Sequence, residues 1–138
     1  MTVNPELELA KELLADARVL IGQSCHRSTV SRAYYAAYHA CIALMESLKL
    51  KPQNYPGKSG RPASRWEHGI VTAEVAADPR LRTILSPPVA SQLRWQYMQR
   101  IRGDYRASGG TTPLTAQIAV SLAEQFVTTV EGYLNAHP

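Results

Sequence analysis

The stretch from Val30 to Leu48 constrains the fold more than any other part of the chain, because its pattern fits one long helix with two distinct surfaces. At about 3.6 residues per turn, Val30, Tyr34, Ala37, Cys41, Met45 and Leu48 share one apolar stripe, and Arg32, Tyr35, His39 and Glu46 fall roughly opposite. The first stripe is a core face. The second carries aromatic and imidazole groups that a helix merely covering a core would not need. Ala33, Ala36, Ala37, Ala40 and Ala43 permit close approach of another helix. The second face, with Arg32, Tyr35 and His39, is therefore read as a dimer interface, with an ordinary solvent face as the plainer alternative.

The rest of the chain punctuates into helices. Asn4-Pro5 offers an N-cap and a first-turn proline, so a helix is expected from Pro5 to Ile21, with Leu9, Leu13, Ala17, Leu20 and Ile21 inward and Gly22 as its stop. The second helix should span Ser28 to Leu50. Between Lys51 and Ala63, Pro52, Pro56, Gly57, Gly60 and Pro62 exclude helix and central strand, leaving a long loop that is either an RNA contact or unstructured. Trp66 to Ala77 reads as a third helix ended by Asp78-Pro79, and Arg80 to Leu85 adds a turn. A fourth should run from Pro87 to Arg106 with Val89, Leu93, Tyr97 and Ile101 inward, ended by Ser108-Gly109-Gly110. Thr112-Pro113 then opens a last helix whose core face is Ala119, Leu122, Phe126, Val130 and Tyr133. No alternating β-branched run argues for a sheet. The expected fold is all-α, an up-and-down bundle of four to five helices forming a single domain over the 138 residues.

Cys25 and Cys41 are too few for a disulfide framework, and Cys41 sits on the apolar stripe as a reduced thiol would. The start Met-Thr-Val-Asn-Pro-Glu has neither a basic n-region nor an apolar signal core, and no run approaches the roughly 18 apolar residues of a membrane span. A cytoplasmic protein without a membrane segment is expected. Net charge is +4 with pI ≈ 9.3, and its placement matters more than its sum. Lys49, Lys51, Lys58, Arg61 and Arg65 cluster in or beside the loop, and Arg94, Arg100, Arg102 and Arg106 crowd the fourth helix against Asp104. Such clusters suit a polyanion such as RNA; solvated surface charge is the plainer alternative.

The fourth helix breaks its own pattern. Plotted at about 100° per residue, Arg100 and Asp104 lie within roughly 20° of the line through Leu93 and Tyr97, which puts charge on the core side. At i,i+4 the two can pair, either as a grip for phosphate or as an ion pair that fixes packing. No His/Cys/carboxylate set has zinc-like spacing, and no phosphate-cradling Gly loop, nucleophile elbow or dinucleotide fingerprint occurs, so no metal or cofactor is expected.

Three segments also carry a family resemblance. Ser31-Arg-Ala-Tyr-Tyr-Ala-Ala-Tyr-His39 resembles the second helix of HEPN domains, His68-Gly69-Ile70-Val71 resembles the start of the next, and Arg100-Ile-Arg-Gly-Asp104-Tyr105 resembles an Arg-x-x-x-Asp-Tyr signature. The likeness runs from about Ala10 to Leu134. HEPN domains are small helical proteins that include RNA-cleaving toxins and partners of minimal nucleotidyltransferases. The resemblance implies a homodimer, and places Arg100, Asp104, Tyr105 and a borrowed His68 as the catalytic set, with Arg102, Arg106, Lys58, Arg61 and Arg65 contacting RNA or nucleotide. One departure limits it. Family nucleases place His after an Arg and four to six residues, and here Tyr105 stands at that spacing, a phenol whose ordinary pKa near 10 makes it a poor proton shuttle. The expectation is thus a noncatalytic or weakly active module binding RNA, a nucleotide or a nucleotidyltransferase antitoxin in a toxin-antitoxin or defence system. The alternatives are a metal-independent ribonuclease toxin and a helical scaffold that only dimerises.

Overall fold

A computed structural model describes residues 4–105 and 111–138, and shows an all-α helical bundle. Its long helices are α1 (Pro5–Gly22), α2 (His26–Ser47), α6 (Gln92–Tyr105) and α7 (Pro113–Ala136). Between α2 and α6 lie a 3-10 turn (Pro52–Asn54) and the short helices α3 (His68–Ala77), α4 (Pro79–Leu85) and α5 (Pro87–Ala90). None of the described helices is long and apolar enough to cross a membrane.

The capping chemistry sets the helix starts. Asn4 Oδ1 accepts from the Leu7 N–H at 3.0 Å, and Thr112 Oγ1 from Thr115 N–H at 3.1 Å, each followed by proline at the first helical position. Asp78, expected only to end a helix, also begins one: its carboxylate accepts from Arg80 and Leu81 N–H, so α4 follows α3 with no loop between. The α1 stop is not Gly22, which is still helical. Ser24 takes the left-handed turn at φ 58°, letting the Cys25 N–H return to Leu20 O. The expected fourth helix is broken at Ser91 into α5 and α6. Its expected end at Arg106 and the glycine stop beyond lie outside the described residues.

α2 is the central helix, packed on α1, α3, α6 and α7. Its alanines permit this. Ala33, Ala36, Ala37, Ala40 and Ala43 are completely buried within the one chain, and Ile42 beside them is buried to within 3%. The alanine surface read as meeting a partner chain is therefore covered by this chain's own helices. Tyr34, Leu44, Met45, Phe126, Leu81 and Leu85 fill the core, each large side chain contributing on the order of 2 kcal/mol of apolar burial. Two register details differ from expectation. In α1, Leu7, Ala10, Leu13, Leu14 and Ala17 face inward and Leu9 outward. On α6 the buried stripe is Leu93, Gln96 and Gly103, so Tyr97 and Ile101 are half-buried at its side. Gly103 makes a close approach there: a Cβ would stand 3.3 Å from Thr111 Oγ1 and in contact with the Arg27 stem on α2.

Candidate nucleotide-binding cleft

α3 starts at His68 and packs on both α2 and α6, which delivers its first side chain to the place where their aromatic residues meet. The imidazole centroid lies 4.6 Å from Tyr38, 5.3 Å from Tyr97, 5.5 Å from Tyr34 and 5.8 Å from Tyr35. Nδ1 is 2.6 Å from the Tyr34 hydroxyl. His68, Tyr35, Tyr38 and Tyr97 form one side of a cleft of about 560 Å³, with Trp66, Lys58, Arg65 and Arg94 also in its walls and Tyr34 buried behind them. That is the size of small-molecule sites in general. α3 has no side-chain cap; its N-cap residue Glu67 and Gly69 of its first turn also line the cleft.

Burial and neighbouring phenols push the Tyr34 hydroxyl well above the ordinary tyrosine range; burial and then Glu6 push Tyr38 up to about 12. His68 moves the other way. Burial first, then the Arg100, Lys58 and His39 charges, hold it below the usual value, so at neutral pH the cluster consists of neutral rings.

Arg100 stands beside this cluster. Its guanidinium carbon is 5.2 Å from the Tyr35 ring centroid, a cation–π distance, and Nε is 3.0 Å from Asp104 Oδ2. The Nε–H is not directed at that oxygen, so the contact is an ion pair without an aligned hydrogen bond. The pair is half-buried, with side-chain exposures of 19% and 34%. Tyr105 ends α6, but its side chain and Arg106 lie outside the described residues.

The loop before α3 folds back on itself. Gly57 N–H donates to Arg61 O at 2.7 Å, Ala63 N–H to Tyr55 O at 2.9 Å, and Gly60 takes the left-handed turn at φ 80°. Glu67 receives the Lys58 N–H at 3.2 Å, and its Oε2 occupies the space a Cβ on Gly57 would need. Tyr55 packs near Trp66, whose indole N–H donates to Glu46. The loop is thus a pinned hairpin and not an unstructured segment. Trp66, expected within the third helix, precedes it as part of this loop.

The sequence-derived residues therefore separate. His68, Lys58 and Arg65 meet at the cleft, with Arg100 and Tyr35 against the same rings; Arg61 and Arg102 are exposed outside its lining. Of the residues assigned to dimerisation, Arg32 is exposed and Tyr35 is in the cleft wall. His39 is held by this chain's own Glu6, at 2.6 Å from Nδ1 to Oε2. Periodicity places Tyr34 and Tyr97 in the core and misses what their edges do; Tyr38 and Trp66 receive no site role, and Arg94 only a place in a basic cluster suited to RNA. The signal available was three tyrosines within five positions of one helix. Among the described residues no group of three or more His, Cys, Asp or Glu is placed to hold a metal ion.

Fold and site together define an all-α bundle with an aromatic, basic cleft between α2, α3 and α6. No family model matches the chain. A stretch of 51 residues is 37% identical to a protein of Methanocaldococcus jannaschii named "Putative toxin MJ0605"; it makes up 37% of this chain and 38% of that protein, so the likeness spans well under half of either.

Proposed function

We propose that this chain is a HEPN-like toxin module, noncatalytic or weakly active, that binds RNA or a free nucleotide in the cleft between α2, α3 and α6. The observation that carries this reading is the convergence of stacking rings with guanidinium and ammonium groups: Tyr38, Trp66, His68 and Tyr97 for bases, Lys58, Arg65 and Arg94 for phosphates. Base–aromatic stacking and phosphate attraction are the two terms by which single-stranded nucleic acid is held. The partial similarity to a protein named as a toxin supports a toxin-antitoxin setting. A homodimer and a minimal nucleotidyltransferase partner, both implied by the family resemblance, belong to the same proposal, as does a cytoplasmic location.

A ribonuclease is the second reading, favoured by Arg100 beside Tyr35 and paired with Asp104. Against it, the imidazole in the cleft among the described residues, His68, has Nδ1 engaged by the Tyr34 hydroxyl, so that nitrogen is not free to take a proton from a substrate. Labelled RNA incubated with the protein in EDTA, beside Arg100→Ala, separates the two. Binding without cleavage is expected. Metal-independent cleavage that Arg100→Ala abolishes would assign the nuclease, and failure to bind RNA or mononucleotides would overturn both readings.

A further inference from the structure

The Tyr34 hydroxyl is buried, and among the described contacts its partner is His68 Nδ1. That geometry fixes more than a distance. If Nδ1 carried the proton and donated to the phenol oxygen, the phenol hydrogen would be left buried without an acceptor, at a cost comparable to a lost hydrogen bond. The satisfied arrangement has the phenol donating to an unprotonated Nδ1, so that Nε2 bears the imidazole hydrogen. His68 is itself in the cleft wall.

Resting on the nucleotide-binding reading, we propose that Tyr34 is a positioning residue that presents His68 to the cleft as a fixed, neutral Nε2–H donor for an acceptor oxygen or ring nitrogen of the bound nucleotide. The surroundings keep it neutral. Facing the ring are Tyr35, Tyr38 and His39 from α2, Tyr97 and Arg100 from α6, and Lys58 from the loop. Burial of the ring opposes a positive charge there, Arg100 and Lys58 oppose it further, and the carboxylate of Glu67 in the same wall accepts from the Lys58 N–H. The site would then take a nucleoside phosphate through a neutral donor, and affinity would not rise as pH falls through the range where a free histidine gains charge.

Long-range ¹H–¹⁵N NMR of His68 in the whole unliganded chain tests the lock without any ligand. The expected spectrum has Nδ1 unprotonated and Nε2 protonated at neutral pH, with the ring gaining its proton below the ordinary histidine range; a protonated Nδ1 at neutral pH, or a ring titrating at the ordinary histidine value, overturns it. A second arm titrates AMP, GMP and a short single-stranded RNA into wild type and Tyr34→Phe. Tyr34→Phe keeps the buried ring and should give a mixed tautomer, a His68 that titrates higher, and affinity lower by roughly three- to tenfold. Wild-type affinity with an unchanged tautomer would overturn the role of Tyr34. If the wild type shows the Nε2–H tautomer yet binds none of the probes, the nucleotide reading falls and takes the assigned ligand with it. Weakening by Tyr34→Phe that appears with mononucleotides alone, or with RNA alone, tells which source of the nucleoside phosphate the donor serves.

Discussion

Arg100 and Tyr35 come from different helices and meet face to edge of the cleft, the guanidinium carbon 5.2 Å from the phenol ring centroid. Stacked on a ring and tethered through Nε to Asp104, the guanidinium is restricted on two sides. Under the proposed function, a group so held would lose little freedom on gripping a phosphate, which separates it from the exposed loop cations.

Arg100→Ala should therefore weaken RNA or nucleotide binding by roughly ten- to a hundredfold, the worth of a charge-assisted contact, and more than Lys58→Ala, Arg61→Ala or Arg65→Ala. Arg100→Lys, which keeps charge but loses the planar fork, should recover little. Equal losses for all four alanine variants, with helicity intact by circular dichroism, would show that only diffuse charge matters.

Trp66 is a half-buried residue of the cleft wall that also packs on the core and on Tyr55, so its removal tests stacking once circular dichroism and the melting temperature show the fold retained. Trp66→Leu is expected to lower affinity for single-stranded RNA on the order of tenfold, in line with one stacked base. Unchanged affinity would remove Trp66 from the binding surface.

His68 also links the cleft to acid stability. Folding lowers its pKa, so as pH falls the unfolded chain takes up this proton before the folded one does. The contribution is present above the ordinary value of 6.5 and is lost as pH drops below it toward the lowered folded value. Urea midpoints at pH 7.5 and 5.5 should accordingly fall more for wild type than for His68→Gln; parallel falls would contradict the depressed pKa.

Gln96 is fully buried on α6, where its Nε2 donates to Ala119 O at 3.0 Å while its Oε1 finds no partner among the described residues. Gln96→Met conserves volume and removes the orphaned oxygen, so a gain of about 1 kcal/mol in denaturant stability is expected. A loss of that size would mean that the link to Ala119 outweighs the stranded acceptor.

Tyr105→His would restore an imidazole at the spacing found in the family's nucleases. If the proposed HEPN geometry holds, RNA cleavage in EDTA should rise above wild type by about a hundredfold, and adding Arg100→Ala should abolish the gain. Wild-type cleavage that Tyr105→His leaves unchanged or destroys would make tyrosine the working group and end the noncatalytic reading.

The helices were legible in the sequence because their starts depend on local chemistry: Asn4-Pro5 and Thr112-Pro113 cap wherever they occur. Register on α6 was not. Gln96 looks polar and is buried, and Gly103 looks like a breaker yet seats α6 against Arg27, because both are decided by what packs opposite. Of the cleft and the residues beside it, His68 and Arg100 stood out through the motif order. Tyr34 and Tyr97 did not, since periodicity reports which side of a helix a ring is on and says nothing of its hydroxyl or its neighbour across the gap. The loop misled through composition: proline and glycine suggested an unstructured segment, while Tyr55, Glu67 and Trp66 tie it down.

α2 is at once the innermost helix and a wall of the cleft, with Ala37 and Cys41 buried on the same element that offers Tyr35 and Tyr38 to a ligand. Anything that settles there leans on the scaffold's central post, so occupancy should register in the melting temperature of the entire chain. A nucleotide present at about a hundred times its dissociation constant would add roughly 2.7 kcal/mol, enough to raise the midpoint on the order of 10 °C in a protein of this length. A library of nucleotides and short oligomers can therefore be sorted by heating alone, before any of them has a known biological role.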